Sequence, residues 1–200
     1  MIESININDI YLSQIPDDCI ISDVYPSERN IYINLPSNLN TKKERYWVWK
    51  VLEKAINNSF GLNIENIKFH ESYGKWYCDD IYFSLSHTRG AVAVIVSNAR
   101  CGVDIENLDE YRNKKANKYV SLSKKICTEN EINKIKSPDD FITVWTKKES
   151  IFKSLESAST SLLEIDSENY LCKTFHLQLD AKYILSVCCN DPDKIRIFTT

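Results

Sequence analysis

No stretch of this sequence approaches the ~18 consecutive apolar residues of a membrane span, so no transmembrane helix is expected. Residues 1–16 alternate in strand fashion and carry acids. They lack a basic segment followed by an apolar one, so no signal peptide is expected either. The seven cysteines are odd in number and contain no C-x-x-C pair, which argues against a disulfide framework and against a zinc site. They read as small buried hydrophobes of a protein kept reduced in the cytoplasm. A basic excess is missing too: the net charge is −3, and a general nucleic-acid binder is not expected. Glycine is scarce, at 4 residues, which reads as compositional bias rather than a functional signal.

What is present suits a globular protein. The chain has 200 residues, 43% hydrophobic and 26% charged, and can bury roughly 70% of its unfolded surface. A strand is expected over residues 5–12 from their alternation. Thr41-Lys42-Lys43-Glu44 has the form of a capping box, with hydroxyl and carboxylate taking the first free N–H groups. Val48, Val51, Leu52, Ala55 and Ile56 then recur at helical spacing, and Gly61 is placed to stop the helix. Further strands are expected at residues 67–70, 81–85, 91–96 and 102–106.

The second half repeats the plan. Residues 110–123 are basic and at least partly helical. Thr128-Glu129-Asn130-Glu131 is a second capping box. Ser137-Pro138-Asp139-Asp140 opens a helix to about Leu155, with a serine cap, proline at the first position and acids in the first turn. Strands follow at 175–179, 184–189 and 194–198. The expected class is α+β: two similar subdomains, residues 1–100 and 101–200, each a long helix packed on a mostly antiparallel sheet.

Two segments carry chemistry. In Gly102-Val103-Asp104-Ile105-Glu106, residues two apart share a strand face, so Asp104 and Glu106 project side by side while Val103 and Ile105 point into the core. Adjacent carboxylates repel unless a cation lies between them, and hard oxygen ligands in this number suit Mg2+. Taken alone, the pentapeptide is also the pattern of a solvated strand face. In the later helix, Phe141, Val144, Ile151 and Leu155 form an apolar stripe. Lys148 falls on that stripe, where a lysine is costly to bury without an anion. Glu149 stands one turn from Trp145 and one turn from Lys153. An exposed Glu149–Lys153 pair with a snorkelling Lys148 would account for this segment by itself.

Together the two segments resemble the 4'-phosphopantetheinyl transferase superfamily, whose signature is G-[VI]-D-x-E, a long gap, then W-x-x-K-E-[SA]-x-x-K. Both parts are complete here, as Gly102 to Glu106 and Trp145 to Lys153. Phe83-Ser84-Leu85-Ser86-His87 is similar to the family's F-[NS]-[LI]-S-H segment. Tyr73-Gly74-Lys75 is similar to its Y-G-K-P segment, with Trp76 in place of proline. The resemblance covers roughly residues 41–155. The layout resembles the surfactin-type, single-chain members with two pseudo-twofold-related halves, which implies a monomer.

The resemblance implies transfer of the phosphopantetheine arm of coenzyme A to a serine of an apo acyl or peptidyl carrier protein, with release of 3',5'-ADP. Asp104, Glu106 and Glu149 match the Mg2+ ligands. Lys148 and Lys153 match phosphate-binding lysines, Lys153 also assisting the departing phosphate. Glu149 matches the base for the serine hydroxyl, acting directly or through water. Arg45, Gly74, Lys75, Ser86 and His87 match residues around coenzyme A. The basic run of Arg112, Lys114, Lys115, Lys118, Lys124 and Lys125 is expected to steer an acidic carrier. The family's glycine-rich stretch after the last lysine is replaced by Glu156-Ser157-Ala158-Ser159-Thr160-Ser161-Leu162. No nucleic acid or membrane partner is expected. Two rival readings use the same residues: an Mg2+-dependent phosphatase or nuclease, and a non-catalytic carrier-binding module.

Overall fold

The computed structural model describes residues 6–22, 27–72, 74–115, 118–155 and 160–200. Strand β1 (Asn8–Gln14) precedes helices α1 (Ser27–Ile33) and α2 (Leu39–Phe60) and a hairpin of β2 (Phe69–Ser72) and β3 (Lys75–Cys78). Strands β4 (Tyr82–Thr88), β5 (Ala91–Ser97) and β6 (Cys101–Asn107) follow. Helices α3 (Leu108–Lys115), α4 (Tyr119–Ile126), α5 (Glu129–Lys134) and α6 (Pro138–Ser154) lead to β7 (Cys172–Gln178), β8 (Lys182–Cys189) and β9 (Arg196–Thr199). The class is α+β. No helix is long and apolar enough to cross a membrane among the described residues.

Local chemistry sets the helix ends. Of the two capping boxes expected, the one at Thr128 and Glu131 forms with both reciprocal bonds. At α2 the cap is Asn38, whose side chain accepts the N–H of Thr41. Asparagine caps as well as threonine does and starts the helix earlier. The expected Thr41–Glu44 box is therefore replaced, and the Glu44 carboxylate is free to act elsewhere. Gly61 ends α2 with φ 67° and its N–H on the Asn57 carbonyl. Ser137 caps α6 by accepting the Asp140 N–H, with Pro138 in the first turn.

The first sheet has the order β4-β5-β1-β9 and the second β6-β8-β7. All seven residues of β5 are buried, and the strand period sorts them. Val92, Val94 and Val96 join Val48, Trp49, Leu52 and Ile56 of α2. Ala91, Ala93 and Ile95 meet Val103, Ile105, Leu185 and Val187 of the second sheet. A strand covered on both faces reads as a continuous apolar run. Fully burying each valine or isoleucine contributes roughly 1.5–3 kcal/mol. The β2–β3 hairpin is shifted from the expected strand at 67–70, and β3 lies between the strands expected at 67–70 and 81–85.

Strand β9 crosses to the first sheet and pairs in parallel with β1, from Asp9↔Arg196 to Leu12↔Thr199. The Arg196 guanidinium holds the buried Asp9 carboxylate through two bonds of 2.6 and 2.7 Å. A division of the chain at residue 100 therefore does not follow the sheets, and one apolar core runs between them.

Side chains join β4 to β6. The hydroxyls of Ser84, Ser86 and Thr88 accept the N–H groups of Val103, Ile105 and Asn107 at 3.1, 3.2 and 3.2 Å. The constant step means that the two strands run in the same direction. Buried N–H groups need acceptors, and here hydroxyl oxygens take the place of backbone carbonyls.

Candidate active site

A cleft of about 270 Å³ opens at this seam, lined by residues that include Gly74, Lys75, Ser86, His87, Asp104 and Lys153. Its floor depends on a close approach of β6 to α6. A Cβ placed on Gly102 would lie 1.9 Å from the Ser150 carbonyl oxygen, so only glycine lets the strand sit under the helix. That approach brings Lys153 over Asp104, with Nζ 2.7 Å from Oδ1 and 3.1 Å from the Val103 carbonyl. Ser86 Oγ donates to the same Oδ1 at 2.9 Å. Asp104 is 6% exposed, and among the described residues its Oδ2 is buried without a hydrogen-bond partner.

Glu149 stands one turn before Lys153 on α6. Burial pushes its carboxyl above the usual range, the Asp104 carboxylate pushes it further, and Lys153 and Lys75 oppose the rise. Lys75 reaches from β3 to the end of α6, where Nζ donates to the carbonyls of Phe152 and Leu155 at 2.7 and 3.1 Å. It lies 4.0 Å from the centre of the Phe152 ring. A cation suits the negative end of a helix dipole. Burial lowers the Lys75 pKa, and Glu149 acts against that shift. Glu106 accepts from Thr88 Oγ1 at 3.4 Å. It also assists burial in raising the Tyr111 hydroxyl to about 12.

Among the described residues, no three His, Cys, Asp or Glu side chains gather closely enough to hold a metal ion. The expected triad of Asp104, Glu106 and Glu149 is therefore not assembled at ligating distance. Each carboxylate has another partner: the Lys153 ammonium pairs with Asp104, and Glu106 accepts from Thr88. The donor chemistry nevertheless fits a hard divalent cation. A buried carboxylate oxygen lacking a partner is what such an ion would satisfy, and a second carboxyl nearby is held at raised proton affinity.

Lys148 is a correction. It does not reach the cleft but is fully buried, with Nζ 2.5 Å from Glu131 Oε2 and also bonded to the Ile165 carbonyl. The stripe position did demand an anion, and the protein's own carboxylate supplies it. Ser86 lines the cleft, but its hydroxyl is already engaged by Ile105 N–H and Asp104. Arg45 stands behind the wall: its Nη1 donates to Leu35 O and Ser37 Oγ, both at 3.4 Å, and its guanidinium lies 5.3 Å from the ring of Tyr32, which lines the cleft. Gly74 adopts φ 77° and gives its N–H to Glu71 Oε1 at 2.5 Å. His87 Nδ1 lies 3.3 Å from Glu44 Oε2. Tyr73 and the segment 156–159 lie outside the described residues.

Sequence reasoning missed Glu131 and Glu44. Both were read as capping residues, and no local pattern shows how far a carboxylate reaches. In the basic run, Arg112 is tied to Asp139, whereas Lys118, Lys124 and Lys125 are exposed.

Residues 100–194 match the family described as the 4'-phosphopantetheinyl transferase superfamily. A curated protein of Aneurinibacillus migulanus, 4'-phosphopantetheinyl transferase gsp, is 30% identical over 144 residues, which cover 64% of this chain and 60% of that relative. The chain thus matches less than two thirds of that relative's length.

Proposed function

We propose, from the match of residues 100–194 to the 4'-phosphopantetheinyl transferase superfamily and the likeness to a curated 4'-phosphopantetheinyl transferase, that the chain moves the phosphopantetheine arm of coenzyme A onto a serine of an apo acyl or peptidyl carrier protein. The single observation that carries this reading is the unpartnered, buried Oδ2 of Asp104, beside Lys153 and Glu149 in a cleft at the seam of the two sheets.

The serine oxygen attacks the phosphorus that bears the pantetheine arm, a new P–O bond forms, and the bond to the departing 3',5'-ADP breaks. Glu149 takes the serine proton, directly or through a water; a carboxyl of raised proton affinity is the better base at neutral pH. Lys153 donates a hydrogen bond to the leaving phosphate while Asp104 holds its position. Ser86 orients Asp104, and Lys75 fixes the end of α6 and adds positive charge to the cleft. Asp104, Glu106 and Glu149 would hold Mg2+. When bound, that ion would neutralise charge on the pyrophosphate. Exposed Lys124 and Lys125 on α4, with Lys118 just before it, offer an acidic carrier a basic approach. The seven cysteines are all unpaired, which supports a reducing, cytoplasmic setting, and the resemblance to the surfactin-type members of the superfamily supports action as a monomer.

The test is one mass spectrum. An apo-carrier incubated with coenzyme A, Mg2+ and this protein gains one phosphopantetheine, and the gain disappears with EDTA. Hydrolysis of coenzyme A or DNA without any carrier, and no adduct with a panel of apo-carriers, would remove the proposal.

A further inference from the structure

Glu44 has no place in the resemblance, and the structure releases it from the helix cap. On α2 it points to β4, with Oε2 3.3 Å from His87 Nδ1. The Glu44 side chain is 13% exposed and that of His87 26%, so the pair is shielded from the screening that makes most surface pairs weak. We infer that Glu44 is a positioning residue: its carboxylate fixes the His87 ring so that Nε2 is the nitrogen offered to an anionic phosphate oxygen in the cleft.

The argument follows from donor and acceptor chemistry. An ionised carboxylate only accepts hydrogen bonds, so Nδ1 carries the proton between them. His87 lines the cleft, and the nitrogen not spent on Glu44 is Nε2. A ring that donates from Nε2 to a phosphate oxygen while donating from Nδ1 to Glu44 carries both protons, and Glu44 balances its charge. Partners behind an imidazole commonly set which nitrogen works and how firmly the ring is held. A bare carboxylate beside a cleft built with Lys75 and Lys153 would repel an anion. Paired with His87, it supports one instead.

The inference rests on the phosphopantetheinyl transfer reading, and its test separates the two. The probe is 3',5'-ADP, titrated into the full chain by calorimetry. Glu44→Ala is expected to weaken binding about tenfold, while Glu44→Gln, whose amide oxygen still accepts from Nδ1, keeps most of the affinity. On a His87→Ala background, Glu44→Ala is expected to change affinity less than about twofold, because contacting residues couple and independent ones add. In steady-state transfer the loss falls on KM for coenzyme A, with kcat unchanged. Nitrogen-15 spectra of neutral His87 should show the proton on Nδ1 in the wild type and its shift to Nε2 in Glu44→Ala. An undiminished effect of Glu44→Ala without His87, or an unchanged tautomer, overturns the inference and leaves the transfer reading standing. A wild-type chain that binds no 3',5'-ADP and modifies no carrier overturns both.

Discussion

Helix α6 carries two lysine–carboxylate pairs whose contrast separates structure from chemistry. Lys148 and Glu131 are 0% and 1% exposed, and every charge-bearing atom is engaged: Glu131 also accepts from Ser167 N–H, Ser167 Oγ and Thr128 N–H at 2.9, 2.7 and 2.8 Å. Lys153 and Asp104 sit at a cleft, with one carboxylate oxygen left over. The first pair is closed and can only hold the fold. The second is open and can receive a ligand. Equal charges at similar distance thus differ in what remains unsatisfied around them.

The sharpest way to break this comparison is to remove each lysine. Lys148→Ala should destabilise by about 3–5 kcal/mol, because Glu131 is left charged and buried. Lys153→Ala should cost less, about 1–3 kcal/mol, because Asp104 keeps the Ser86 bond and borders an open cleft, yet lower kcat more than it weakens coenzyme A binding. Urea unfolding and steady-state kinetics read both, and equal stability losses would erase the distinction. Next in size, Asp104→Ala should reduce carrier modification by roughly 100-fold or more with little change in Tm, followed by mass spectrometry of the carrier. Gly102→Ala should destabilise by about 1–3 kcal/mol, because the added methyl meets backbone that cannot move aside. It should also impair transfer by displacing Lys153 from Asp104.

The smallest effect concerns pH, and the two glutamates have opposite signs. Burial alone would raise the Glu131 carboxyl, but bonds from Lys148, Ser167 and Thr128 bring it below its usual value. Its stability contribution is therefore present above the ordinary carboxylate pKa and is lost as pH falls through the lowered one. Glu149 is raised by burial and Asp104, so its contribution is present at low pH and disappears as the pH rises through the raised value. Glu149→Gln should then raise Tm at pH 7 by roughly 1–3 °C, leave it nearly unchanged near pH 4, and abolish transfer. Thermal scans at the two pH values check the sign.

The sequence displays what is written in short periods. The two-residue repeat placed Asp104 on one strand face with Val103 and Ile105 in the core, and the apolar run of β5 marked a strand covered twice. The serine, proline and acids at 137–140 opened α6 where expected. What stayed hidden depends on distant partners. Nothing near Lys148 names Glu131, which also caps its own helix. Ser84, Ser86 and Thr88 look like an ordinary polar strand face until β6 is laid beside them. Pairing of β9 with β1 joins positions almost a chain length apart, and no local pattern encodes it.

That last pairing has a consequence for how the molecule assembles. During synthesis the outer edge of β1 emerges early and stays open until Arg196 and the residues after it leave the ribosome. Contacts of such long sequence separation form late and slowly, and an open strand edge invites mispairing while it waits. The Arg196 clamp on Asp9 would therefore act as a late latch on the first sheet. A nascent chain stalled before it should bind chaperones that a chain with β9 paired no longer needs.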